Sequence, residues 1–197
     1  SFLSFLFHPK WTLNFLLRKK FDLPFLSEFV KEGTDIRISV SDYFSNMLDQ
    51  NMNWEDAIEI KKRWNGVFCL KGIMSKEDAI KAVDIGADAI MISNHGGRQL
   101  DGSRSPFDQL DEIVDAVSGK IDIICDGGIR RGTHILKAIS KGANACSGGR
   151  LYLYALASGG EEGVTQSINN LKSELTRDMK LMGLTKISQL SKDNLRF

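Results

Sequence analysis

Cysteine, net charge and long apolar runs are all scarce in this sequence, and each scarcity removes a class of protein. Lysine and arginine number 26 against 25 aspartate and glutamate, for a net charge of +1. No basic excess calls for nucleic acid or another strongly anionic partner. Only three cysteines occur, Cys69, Cys125 and Cys146, in apolar strand-like segments at no metal-ligand spacing. That pattern excludes a disulfide framework and suggests buried thiols in a reducing compartment. No apolar run reaches the roughly 20 residues needed to span a bilayer. Phe2-Leu3-Ser4-Phe5-Leu6-Phe7 stops at His8-Pro9-Lys10, and its basic residues follow the apolar run, the reverse of a signal peptide. The chain opens on Ser1, which reads as a cut into a longer chain.

What is present suits one domain or part of a larger one: 197 residues, 42% of them apolar, enough for a sizeable core. Residues 1–50 form one segment and 51–197 another. In residues 1–30, Trp11, Phe15 and Arg18 recur at helical spacing among Lys10, Lys19, Lys20 and Phe21, which suits an amphipathic helix. Its default place is against the parent protein, with a membrane surface as the sharper alternative. Residues 31–50 read as a connecting loop with a short helix around Tyr43–Leu48.

From Asn53 the pattern becomes regular. Asn53 caps a helix from Trp54 to Trp64, with Glu55 and Asp56 in its first turn. Val67–Leu70 is a strand ending at Lys71-Gly72. Ser75 caps a helix from Lys76 to Ile85, which Gly86 closes. Ala89–Ile92 is a second strand, Pro106 to about Val117 a helix, and Ile121–Cys125 a third strand. A helix over about 133–141 leads to a fourth strand at Ala143–Cys146. A long helix over about 161–182 and a short one near Leu190 complete the chain. Residues 81–89 and 137–145 repeat one another as a helix end, a glycine stop and entry to a strand. Such alternation predicts right-handed βαβ units and a parallel sheet. With four strands, the fold class is α/β, the second half of a (β/α)8 barrel, since a complete one takes about 250 residues.

In such folds the carboxyl ends of the strands hold the ligand. Those ends carry Lys71, then Ser93-Asn94-His95-Gly96-Gly97-Arg98, then Asp126-Gly127-Gly128-Ile129-Arg130, then Gly149-Arg150. A histidine able to move a proton beside an arginine fork suits acid/base chemistry on a small acid. The two Gly/Arg turns suggest a phosphate cradle of backbone N–H groups, helix N-termini and the Arg130 and Arg150 forks. Lys71 ends an apolar strand and should face the barrel mouth. His134, just inside a helix start, reads as a solvated face, and Asp101 could orient either the loop or the histidine.

Taken together, the blocks from Ser93 to Asp101, Leu70-Lys71-Gly72, Asp126–Gly132 and Gly149-Arg150 resemble the FMN-dependent L-2-hydroxy acid dehydrogenases and oxidases. His8-Pro9-Lys10-Trp11 and Leu151–Leu156 resemble the bacterial L-lactate dehydrogenase branch in particular. The resemblance covers nearly all of this chain but only the C-terminal half of the family's barrel. It implies FMN as cofactor and a small 2-hydroxy acid, foremost L-lactate, as substrate. By the same resemblance His95 is the base, Arg98 the carboxylate ligand, and Lys71 the neighbour of the flavin N1/C2 carbonyl edge. Asp126, Gly128, Arg130, Gly149 and Arg150 hold the ribityl chain and phosphate, and Ser93 lines the flavin side. A homo-oligomer is expected, cytoplasmic or peripheral at the inner face of a membrane through residues 1–30. Ala145-Cys146-Ser147-Gly148 stands where the family has an aliphatic strand, so a weaker or reshaped last strand is expected. A half-barrel remnant binding a phosphate-bearing ligand or a partner chain, and another FMN barrel such as an isomerase, are the competing readings.

Overall fold

The computed structural model of the chain describes residues 3–17 and 49–196. Phe2, Arg18, Lys19, Lys20, Phe21 and the expected helix around Tyr43–Leu48 lie outside the described residues. The chain divides into two compact units, Ser1–Met52 and Asn53–Phe197. In the first, helices α1 (Leu3–Leu6) and α2 (Pro9–Leu17) are joined at His8. Spacing of four puts Trp11 and Phe15 on one face of α2, where their rings stack at 5.2 Å, and Phe5 stacks on Trp11 at 5.6 Å.

The second unit alternates helix and strand. Its elements are α3 (Trp54–Arg63), β1 (Cys69–Lys71), α4 (Lys76–Asp84), β2 (Ala89–Ile92), α5 (Pro106–Val117), β3 (Asp122–Asp126), α6 (Gly132–Ser140), β4 (Ala145–Ser147) and α7 (Gly149–Leu181). Local chemistry sets the helix starts. Asn53 and Asp56 form a reciprocal capping box on α3, Ser75 caps α4, and Ser105 with Pro106 at the first helical position starts α5.

All four strands are parallel, in the order β1-β2-β3-β4. Parallel strands alternating with helices make this a partial (β/α)8 barrel, as the sequence pattern implies. The register then sorts the side chains by their period of two. Leu70, Ile90, Ile123 and Cys125 point to the helices. Cys69, Lys71, Met91, Ile124, Asp126 and Ser147 point to the opposite face, the inside of a barrel. On the helix side, Ile90 and Ile92 pack with Leu110, Ile113, Val117 and Cys125, all fully buried. Each such aliphatic chain contributes about 1.5–3 kcal/mol through burial.

Several boundaries differ from those expected. β1 begins at Cys69 because Phe68 instead pairs its N–H with the Asp88 carboxylate (2.8 Å) and its carbonyl with the Asp88 N–H (2.9 Å). Val67 is consequently exposed. Cys69 is exposed as well, contrary to the expectation of buried thiols, because it sits on the inward face, which the described residues leave open. The last strand is shifted to Ala145–Ser147 and is only three residues long. The long helix runs on to Leu181 from a break at Gly160 (φ 61°), as expected from about residue 161, and a further helix from Gly149 precedes the break; the chain turns sharply there and brings Gly163 against the Ala155 carbonyl. The expected helix near Leu190 resolves into two short 3-10 turns, Ile187–Gln189 and Lys192–Asn194. Among the described residues no helix is long and apolar enough to cross a membrane.

Candidate active site

The inward face brings three strand ends into one polar knot. Lys71 Nζ lies 2.8 Å from Ser93 Oγ and 3.2 Å from Asp126 Oδ2, and Ser93 Oγ donates to the same carboxylate oxygen at 2.6 Å. The His95 N–H donates to Ser93 Oγ at 3.2 Å. This hydroxyl therefore gives one hydrogen bond and accepts two, its full capacity. Burial works against the Asp126 charge. Hydrogen bonds from Ser93, Ser147 and Lys71, with the Lys71 charge, outweigh it and hold the carboxyl below the usual carboxylate range. Ser147, one of the residues replacing an aliphatic strand, thus has a polar task.

After β2 the backbone turns left-handed at three successive residues: His95 (φ 56°), Gly96 (φ 71°) and Gly97 (φ 69°). Such a run is open to glycine and costly for a histidine, so it must be held from outside. Asn94 Oδ1 accepts the Gly97 N–H at 3.1 Å, and Arg150 Nη2 donates to the Gly96 carbonyl at 2.6 Å. The turn presents His95 and Arg98 to solvent, with Arg98 Nη2 3.1 Å from His95 Nε2. Arginine has no acceptor, so as a hydrogen bond this contact has Arg98 donating to a lone pair on Nε2. Among the described residues Asp101 bonds locally, accepting the N–H of Gly102 at 3.0 Å within the loop.

Next to this turn is a cavity of about 430 Å³. Its walls include Gly127, Gly128, Gly96 and Arg150, together with Asn94, Phe107, His134 and Lys137. Gly127 and Gly128 take φ of 108° and 72°, and a Cβ on Gly128 would meet nothing within 4 Å, so the turn lies open. Arg130 and Gly149 do not line this cavity; Arg130 is exposed, and Gly149 opens α7. His134 departs from the solvated face expected of it. It is half-buried, lines the cavity, and its Nδ1 lies 3.0 Å from the Gly128 carbonyl and 3.2 Å from the Arg130 N–H. Its sequence signal is its place just inside the helix that follows the glycine turn. Nothing local in the sequence distinguishes Phe107 and Lys137 from surface residues, whereas Asn94 belongs to the histidine block. Burial pushes the Cys125 thiol up to about 11 and Cys146 to about 12, so neither is a nucleophile at neutral pH. Among the described residues no group of three or more His, Cys, Asp or Glu side chains is placed to hold a metal ion.

A parallel half-barrel with cation, carboxylate, histidine and glycine turns at its strand ends is an α/β fold with its ligand-binding end marked out. Residues 1–197 match the model of the FMN-dependent dehydrogenase family, and the chain belongs to that family. A flavocytochrome b2 mutant with pyruvate bound is 37% identical with a TM-score of 0.74, over 81% of this chain and 44% of that one. The flavin-binding domain of baker's yeast flavocytochrome b2 is 40% identical (TM-score 0.74), over 76% of this chain and 39% of that one. Mandelate oxidase with (S)-2-phenylpropionate is 42% identical (TM-score 0.68), over 71% of this chain and 42% of that one. The chain thus spans less than half the length of these structures. FMN is the cofactor that the family and these neighbours indicate. The groups lining the cavity fit its phosphate: an open glycine turn offers backbone N–H groups, and the Arg150 guanidinium supplies positive charge.

Proposed function

We propose that the protein, with its barrel complete, oxidises an L-2-hydroxy acid, L-lactate foremost, to the 2-oxo acid. The observation that carries this is the 3.1 Å contact between Arg98 Nη2 and His95 Nε2. A base nitrogen and a carboxylate fork at this spacing suit a substrate with its hydroxyl and carboxylate on adjacent carbons. His95 takes the proton and Arg98 orients the carboxylate by a bidentate fork. When bound, FMN supplies the two-electron acceptor. Lys71 keeps a positive charge at the strand end, where it offsets negative charge on the ring, and Asp126 and Ser93 hold that ammonium in place. Asp126 holds the ribityl chain, and Gly128 and Arg150, which line the cavity, hold the phosphate, with Arg130 and Gly149 beyond its wall.

Lactate is favoured over larger acids by His8–Trp11 and Leu151–Leu156, which resemble the bacterial L-lactate dehydrogenases, and by the pyruvate in one structural neighbour. Anaerobic mixing of the intact, FMN-loaded protein with L-lactate or mandelate tests the reading. Bleaching by L-lactate supports it, bleaching by mandelate alone moves the substrate, and bleaching by neither overturns it.

We also propose a peripheral place at the inner face of a membrane, and assembly as a homo-oligomer. Phe5, Leu6, Phe7, Leu13, Phe15, Leu16 and Leu17 are exposed in α1, α2 and their junction, with Trp11 half-exposed between them. Shallow insertion of these side chains, aided by Lys10, suits an interfacial helix. Co-sedimentation with anionic vesicles, with and without residues 1–30, checks it; equal sedimentation of both forms overturns it.

A further inference from the structure

We infer that His134 is a positioning residue for the phosphate turn, and that through it the protein tells FMN from riboflavin. The inference rests on the proposed phosphate site and deepens it. His134 sits at the third position of α6, four residues beyond Arg130 and six beyond Gly128, the two residues it touches. Its Nδ1 lies between a carbonyl at one end of the Gly128–Arg130 turn (Gly128 O, 3.0 Å) and an N–H at the other (Arg130 N, 3.2 Å).

Either tautomer of the neutral ring therefore grips the turn. With the proton on Nδ1, the ring donates to Gly128; with Nδ1 bare, it accepts from Arg130. The Gly127 N–H donates to the Ser147 carbonyl at 3.3 Å just before the turn, and Ile129 is buried within it, while His134 is the side chain that bonds both of its ends. Gly128 takes φ 72° and has open space where a side chain would be, so neither steric fit nor packing of its own fixes its shape. The same ring forms part of the wall of the cavity that Gly128 and Arg150 line. A turn that offers backbone N–H groups to an anion binds well only if those groups already point the right way. Holding the turn is thus a contribution to phosphate affinity and to nothing else in the flavin. Among the described residues the Lys71–Ser93–Asp126 knot, proposed above to sit by the ring system, shares no hydrogen bond with His134.

Riboflavin has the same ring and ribityl chain as FMN and lacks the phosphate, so it serves as the internal control. The experiment compares FMN and riboflavin binding to the intact apoprotein by flavin fluorescence quenching, for wild type, His134→Leu and His134→Asn. Leucine removes both hydrogen-bonding options. The asparagine amide restores a donor and an acceptor near the Nδ1 position. The expected result is that His134→Leu weakens FMN about tenfold, as for the loss of one or two ordinary hydrogen bonds, and leaves riboflavin unchanged. His134→Asn is expected to recover most of the FMN affinity. Wild type binding FMN no better than riboflavin overturns the phosphate site and this inference with it. Wild type preferring FMN, with His134→Leu preferring it equally, overturns the role of His134 alone. Equal weakening of both flavins by His134→Leu, or no recovery with asparagine, means general damage to the fold and likewise overturns it.

Discussion

Arg150, in the first turn of α7, donates to the carbonyl of Gly96 in the turn after β2, 54 residues away, at 2.6 Å. The approach is close enough that a Cβ on Gly96 would meet the guanidinium at 3.0 Å. One side chain therefore borders the cavity with the glycine turn of β3 and also braces the residue next to His95. The wall of the proposed phosphate site and the histidine turn share a part.

Arg150→Leu should accordingly have two effects at once. FMN affinity falls by about 10- to 100-fold, the scale of a charged hydrogen bond. In protein saturated with FMN, flavin reduction by L-lactate also slows, because the left-handed His95–Gly97 turn loses a brace. Fluorescence titration reads the first and anaerobic stopped-flow absorbance the second. Reduction at the wild-type rate in the saturated variant would remove the link to His95.

His95 and Arg98 should separate kinetically. His95→Gln is expected to lower the rate of flavin reduction by about 10²–10⁴ with little change in substrate affinity. Arg98→Met should weaken substrate binding and slow reduction too, since it removes both the carboxylate fork and the donor that faces Nε2. Rapid-mixing measurements across L-lactate concentration distinguish the two patterns.

Asp126 predicts a pH dependence of stability. Its folded value lies below the ordinary 3.8, so its contribution is complete above about pH 5 and is lost as pH falls through the folded value. Asp126→Asn should be less stable than wild type at pH 7, and the difference should narrow towards pH 3. Urea unfolding at several pH values measures this. A difference that widens on acidification would give the shift the opposite sign.

Gly132 marks where α6 meets α7 backbone to backbone. A Cβ there would lie 2.6 Å from the Leu175 amide nitrogen, and the Gly132 N–H donates to the Glu174 carboxylate at 2.7 Å. Gly132→Ala should cost about 1–3 kcal/mol through overpacking and lower the Tm accordingly. Gly159→Ala, where a Cβ meets nothing within 4 Å, should leave the Tm within a degree or two or raise it. Thermal unfolding followed by circular dichroism compares them.

The helices and their caps were readable because their determinants are local. Asn53, Ser75 and Ser105-Pro106 act within one turn of themselves, and all three start helices where expected. The strand-end motifs were readable for a related reason: a strand followed by a glycine turn states, within a few residues, where the ligand end lies. Boundaries failed where a distant group competed, as when Asp88 took the N–H of Phe68 and shortened β1. Which groups meet was decided only by the register of the sheet. Lys71, Ser93 and Asp126 converge because a parallel ladder aligns strand ends that lie 22 and 33 residues apart, and a slip of one residue would send each side chain to the other face. His134 and Arg150 show the same division. Their types and positions are written in the chain, but the carbonyls they face belong to turns whose shape exists only after the four strands have paired. Hydrogen bonds between separate elements depend on that pairing, which no local pattern of residues contains.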